Sequence, residues 1–336
     1  MTSSFEYEDD EGIPTFRFTG WRWLPRLVRG DCLLWDRAAR LLFQRYVDAF
    51  GTPDIIHAHS ALFAGVTARR LRLAYGIPYV ITEHSSVFAT RRLKAWEVPQ
   101  IERAFRCAEA RIMVSPSLGH LLEGRFDGNV RPWIWIPNMV SNMFQPSPKR
   151  DRLEADRPFV FLNVGFLREG KGQGLLIDSF ARVFQGEAGV GLRIVGDGGL
   201  REKLEAQAAR LGVEDQVTFL GGLGREDVLR QMQACDAYVL SSDYETFGVV
   251  LVEALACGKP VVATACGGPE CIVDETNGLL VPPGDVEAMA SALREMRSRA
   301  HTYDPGAISR DCRSRFGAET VARELTAVYR DVILKR

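Results

Sequence analysis

Residues 237–264 read "AYVLSSDYETFGVVLVEALACGKPVVAT". "AYVLSS" (237–242) and "PVVAT" (260–264) are short β-branched runs bounded by turn residues, as in strands of a sheet covered on both faces. Between them "GVVLVEALACG" has the length and composition of a buried helix, closed by Gly258 in a left-handed conformation. Strand, turn, helix and next strand make a βαβ unit, so the sheet is expected to be parallel. The turn "DYETFG" then stands at the carboxyl end of a strand, where open α/β sheets bind their ligands.

Two glutamates mark this stretch. In one helix, eight steps of about 100° would leave Glu245 and Glu253 about 80° apart, so we read one in the loop and one in the helix. The amides of Phe247, Gly248 and Val249 would open the helix. There the unpaired N–H groups and the helix dipole favour an anion such as a diphosphate, and a bare Gly248 allows close approach. Glu253 has only apolar neighbours, so its ionised form needs donors from elsewhere. A ribose diol would supply them, and so would a Lys or Arg of another element. Glu245 is otherwise an ordinary loop residue, with Thr246 as the helix cap.

The same alternation extends outward. "DIIHAH" (54–59), "PYVITEH" (78–84), "ARIMVSP" (110–116) and "WIWIP" (133–137) are expected strands with helical segments between them. After "QPSPKRDRLEADRP" (145–158), the pattern restarts with "FVFLNVG" (159–165), "LRIVG" (192–196), "VTFLG" (217–221), the two strands above and "GLLVP" (278–282). The expected organisation is a first α/β domain over 1–144, a linker over 145–158, a second α/β domain over 159–316, and a terminal helix over 317–336 packing back toward the first domain. Two such sheets would face each other across a cleft.

Composition narrows the partners. The 336 residues are 46% hydrophobic, enough for two domains with sizeable cores. A formal charge of −1 leaves no electrostatic footprint for nucleic acid. Seven cysteines without a CxxC pair fit neither a disulfide framework nor a zinc site, which points to a reducing, cytoplasmic setting. No apolar run reaches the roughly 18 residues of a membrane span. His57 and His59 are spaced like metal ligands but are read as alternating between strand faces without a third ligand, hence as structural.

The motifs "VGFLREGKGQGLLIDSF" (164–180), "IVGDGGLREKLEAQAARLG" (194–212), residues 217–264, "GGPECI" (267–272) and "NGLLVPPGD" (277–285) occur in order and at coherent spacing. Together they resemble the retaining glycosyltransferases of family 4, with their E-x7-E element and GT-B fold of two facing Rossmann-like domains. The resemblance implies transfer of a sugar from a nucleotide-sugar donor to a glycan, lipid-linked or small-molecule acceptor. It places Glu253 on the donor ribose, Glu245 near the donor sugar, and the Phe247–Val249 amides around phosphate and sugar. Lys171 would neutralise the leaving diphosphate, a role a cation at a helix start otherwise lacks. Phe166 occupies the position where the family often has an arginine, and Arg168 could replace it. Leu223 falls where the base lies, or is an ordinary loop residue. Gly196 and Gly198 belong to a tight turn into a helix. His84, in "ITEHSS", matches a histidine near the reacting bond, with a structural histidine as the alternative. "IPNMVSNMF" (136–144) resembles the family's interdomain segment, with Ser141 where aspartate is usual.

No DxD-like pair is read at a strand end, so neither metal nor other cofactor is expected. Two other classes share these motifs: a non-catalytic sugar-nucleotide-binding or partner-binding relative, and a GT-B epimerase, whose extra acid/base residues are not evident. "FEYEDDEGIPTFRF" near the start resembles sequence found well inside such a first domain, so the initial strand, glycine-rich loop and helix are expected to be absent and the first domain incomplete. Residues 17–45 carry seven arginines against two aspartates, with Trp21, Trp23 and Trp35 interleaved. That composition suits peripheral contact with an anionic membrane, or a solvated arginine face with its tryptophans packed inward.

Overall fold

A computed structural model describes residues 4–20, 30–89, 93–126, 132–147 and 157–335. They form two compact units, one of Met1–Met113, Gly119–Trp135 and Leu325–Arg336, the other of Val114–Leu118 and Ile136–Glu324.

The first unit begins with an antiparallel hairpin that sequence reading did not anticipate, β1 (Ser4–Asp10) and β2 (Ile13–Thr19). Its two-residue turn has positive φ at Glu11 and Gly12, the pattern that matches the twist of paired strands. Phe5 pairs with Phe18 and Tyr7 with Phe16, and Phe16 meets Tyr46 and Phe50 of α1 (Gly30–Phe50). The parallel sheet follows with β3 (Ile56–His59), α2 (Val66–Tyr75), β4 (Tyr79–Glu83), α3 (Val98–Cys107), β5 (Ala110–Met113), α4 (Pro116–Arg125) and β6 (Trp133–Trp135), in the order β3-β4-β5-β6. Helix α1 is tied to α2 through the buried Asp36, which accepts from Thr67 at 2.7 Å and pairs with Arg70 at 2.6 Å.

The second unit holds β7 (Phe159–Val164), α5 (Gln173–Phe184), β8 (Val190–Val195), α6 (Arg201–Arg210), β9 (Val217–Gly221), α7 (Arg225–Ala234), β10 (Ala237–Leu240), α8 (Val249–Ala256), β11 (Val261–Thr264), β12 (Gly278–Val281), α9 (Val286–Arg299) and α10 (Pro305–Phe316). All its strand pairs are parallel, in the order β12-β11-β10-β7-β8-β9. The chain reverses its direction of growth between β7 and β10, which makes their carboxyl ends the topological switch point. All ten strands expected from residue 54 onward are present.

The units divide at Trp135/Ile136, ahead of the expected boundary at 144. Ile136, Val140 and Phe144 are buried in the second unit; the Val140 amide donates to Phe316 O at 2.8 Å, and Arg313 donates to the Phe144 carbonyl. Most of the expected linker, 148–156, lies outside the described residues, as do Trp21 and Trp23 of the arginine-rich segment. Trp35 packs on Phe63 with ring centroids 6.0 Å apart. The last helix, α11 (Ala318–Leu334), starts in the second unit and ends in the first, where Val328, Tyr329 and Val332 pack with Ile55, Val80 and Ala110. Among the described residues no helix is long and apolar enough to cross a membrane.

Candidate functional site

Of the cavities in the second unit, two are of nearly equal size. One, of about 450 Å³, is bordered by Phe159, Asp236, Lys259 and Pro260, at the amino ends of β7, β10 and β11. The other, of about 480 Å³, opens at the switch point and is bordered by Gly165, Phe166, Lys171, Ser242, Glu245 and the start of α8. The second is the candidate site, because it stands at the carboxyl ends of the strands and gathers the charged residues.

The loops after β7 and β8 shape its floor. Gly196 has φ of +139°, and a Cβ there would lie 1.9 Å from Gly165 O, so only glycine lets these backbones touch. Gly198 packs likewise against Leu167 O and does not border the cavity. Leu223 and Val228 add an apolar wall beside Val195. Arg168 is exposed and is not among the bordering residues. Phe166 borders the site with 72% of its surface exposed.

Lys171 and Glu245 meet directly, Nζ to Oε1 at 2.6 Å, and Ser242 Oγ donates to the same oxygen at 2.7 Å. Glu245 is pinned by its backbone, its amide to Cys266 O and its carbonyl to the Gly268 amide. Helix α8 begins after Gly248, whose φ is +106°, and its first turn has no side-chain cap. Thr246 is therefore not the cap. The Phe247 ring is buried against Phe316 at 5.6 Å between centroids, which leaves its backbone as the part that can serve a ligand.

Glu253 is 6% exposed and lies one turn along α8 from Val249 and Val250, which border the cavity. It is not itself a bordering residue. Arg225 Nη2 stands 3.3 Å from its Oε1, and the same guanidinium lies over the Phe144 ring with its Cζ 5.3 Å from the centroid. The alternative of an ion pair from another element is thus realised in this structure. Burial raises the Glu253 pKa, and Arg225 opposes that rise.

In the first unit His84 follows β4 and is half-buried, with Nε2 2.9 Å from His59 Nδ1. The reading of His57 and His59 on opposite faces is corrected, since residues two apart in a strand share a face. Their rings stack with centroids 4.3 Å apart. His57 also reaches Tyr329 Oη at 2.6 Å and Thr82 Oγ1 at 2.7 Å. Burial, and then His59 and His84, push its pKa down to about 4. Among the described residues no group of three or more His, Cys, Asp or Glu is placed to hold a metal.

Sequence reasoning missed Ser242, Asn138 and Asn163 at the cavity. Ser242 ends the "LSS" run and could have been found as a hydroxyl beside the turn. Asn138 stands in the "IPN" that opens the interdomain segment at 136–144, whereas nothing in the sequence signals Asn163.

The chain matches the model of Glycosyl transferases group 1 over residues 145–303 and that of Glycosyltransferase Family 4 over residues 4–142. It is 37% identical over 150 residues to the lipopolysaccharide core biosynthesis glycosyltransferase LpsE of Rhizobium meliloti, which covers 44% of this chain and 42% of that protein. The chain thus spans less than half of that relative's length. Among solved structures, sucrose-phosphate synthase from Thermosynechococcus elongatus superposes with a TM-score of 0.81 at 25% identity, over 98% of this chain and 86% of that one. Anabaena HepE in complex with UDP gives 0.75 at 25% identity, over 87% and 82%.

Proposed function

We propose that this chain, which belongs to the family 4 glycosyltransferases of GT-B fold, moves a sugar from a nucleoside-diphosphate sugar to a glycan, lipid-linked or small-molecule acceptor with retention of anomeric configuration. The observation that carries this reading is the switch-point cavity, where Lys171, Ser242, Glu245 and the uncapped start of α8 converge. HepE, similar over most of the chain, is known in complex with UDP, which supports a nucleoside diphosphate as the occupant.

In this reading the diphosphate lies on the Phe247–Val249 amides, where the α8 dipole and Lys171 balance its charge. The base rests against Leu223. Glu253 takes the ribose diol, exchanging its Arg225 contact for two hydroxyls. Lys171 turns from Glu245 to the phosphate, and Glu245 is released toward the sugar. The acceptor oxygen bonds to the anomeric carbon on the face from which the diphosphate leaves, and the departing phosphate oxygen takes the acceptor's proton. The protein contributes position and charge. His84 takes the place beside the transferred sugar that the family resemblance implies.

Thermal-shift measurements across nucleoside diphosphates and their sugars test the occupant. A selective upward shift with one nucleotide is expected, and no shift with any of them would overturn the reading. Lys171 and the amides supply the positive field in place of a metal, so turnover is expected to survive excess chelator. An absolute need for Mg²⁺ or Mn²⁺ would reject that assignment.

A further inference from the structure

Three histidines of the first unit, His57, His59 and His84, gather at one end of the sheet and are not equivalent. His57 has both ring nitrogens engaged, with Tyr329 and Thr82. His59 instead presents Nδ1 to His84 Nε2 at 2.9 Å, with the two ring planes 18° apart. A hydrogen bond between two imidazole nitrogens requires one N–H and one bare nitrogen. The bond therefore links the protonation of the two rings, and in a neutral His84 it decides whether Nδ1 or Nε2 carries the hydrogen.

The backbone under this pair is held by a group the proposed chemistry does not use. Glu83 is fully buried at the end of β4 and accepts from the amides of Ala61, His84 and Ser85 at 2.8, 2.9 and 2.8 Å. It thus joins the segment after His59 to the segment carrying His84. The His59 side of that joint is strained, with φ of +75° at Ser60 and +67° at Phe63, neither a glycine. Such backbone persists only where its surroundings fix it, and it clusters at functional sites.

We propose that His59 is a positioning residue, which fixes the orientation and tautomer of His84 on a backbone frame that Glu83 clamps. The proposal rests on the reading of His84 as the residue beside the transferred sugar. Any substrate hydroxyl that meets His84 then finds one defined donor or acceptor instead of a mixture, and misplacement of such a group costs rate more than binding.

Long-range ¹H–¹⁵N NMR on histidine-labelled protein, with the His84 signals assigned through His84→Gln, reads the tautomer directly. A single His84 tautomer is expected in the unmutated protein and a mixture in His59→Ala. His59→Asn, whose amide stands where Nδ1 does, should restore it. In parallel, UDP release from UDP-glucose should show kcat lowered roughly 10- to 100-fold in His59→Ala, partly recovered in His59→Asn, with KM and the affinity for UDP unchanged. An unchanged tautomer in His59→Ala, or unchanged turnover, would overturn the proposal. If the unmutated protein releases no UDP, the functional reading fails for this donor, and the tautomer measurement alone decides whether His59 sets His84.

Discussion

Glu253 and Arg225 form an unequal pair, the carboxylate side chain 8% exposed and the guanidinium 65%. Ion pairs with one well-solvated partner contribute only about 0–1 kcal/mol, so Arg225 gives way easily to a better donor. Two charge-assisted hydrogen bonds from a ribose diol are each worth about 1.5–3 kcal/mol. Glu253→Gln is therefore expected to weaken nucleotide binding by roughly 100-fold, while Arg225→Ala should change it only a few-fold. Calorimetry with UDP compares the two, and a larger loss in Arg225→Ala would make the ion pair, not the ribose, the task of Glu253. A second residue-scale expectation concerns Gly196→Ala. The new methyl would meet Gly165 O at 1.9 Å on a backbone with φ of +139°, so the melting temperature should fall sharply or the protein fail to fold; a change within about 0.5 kcal/mol would contradict this. Sequence alone showed that Glu253 needed donors, because an apolar helix offers it none. It could not show Arg225, which is brought there by a different strand–helix connection. Likewise Lys171 and Glu245 were legible as separate charges near one site, and only folding makes them each other's partner.

At the scale of elements, the strands were legible because parallel strands are written as short apolar runs between turn residues, dense in β7, β10 and β11 and sparser in β3 and β6. The hairpin was not. Its turn is Glu11–Gly12 instead of the Asn-Gly or Asp-Gly that announces such a loop, and its outward face is acidic enough to resemble coil. Helix α1 is hidden in the composition of residues 17–45, because four of the seven arginines there precede the helix and its buried anchor is an aspartate, Asp36. Strand β3 shows the opposite failure: its histidines were noticed and assigned the wrong faces, though period-two geometry puts them together. That placement has a pH consequence. His57 titrates near 4 in the folded chain against 6.5 ordinarily, so between those values the unfolded chain holds the extra proton. Stability should be full above pH 6.5, fall by up to about 3 kcal/mol as the pH drops toward 4, and gain no further loss from this group below it. Scanning calorimetry on His57→Gln should show a shallower decline across the same window, and an identical decline in both proteins would assign it to other groups.

At the scale of the whole molecule, one helix, α11, is shared between the two units. This helix leaves the second unit near Glu324 and finishes as part of the first, with Val328 and Val332 on the sheet that holds Val80 and Ala110. Deleting residues 325–336 should therefore lower the unfolding temperature of the first unit while UDP still raises that of the second, and calorimetry with and without UDP separates the two transitions. Loss of UDP protection in that variant would show that the units do not respond separately. For anyone recombining chains of this fold, the same helix sets the seams. A chimera cut once within 145–158 would graft the tail of one parent onto the sheet of another and mismatch the Val80–Val332 packing. A cassette excised at 136 and again at 324 carries the switch-point cavity intact and returns the tail to its own sheet, so a two-seam exchange is the one expected to yield folded hybrids.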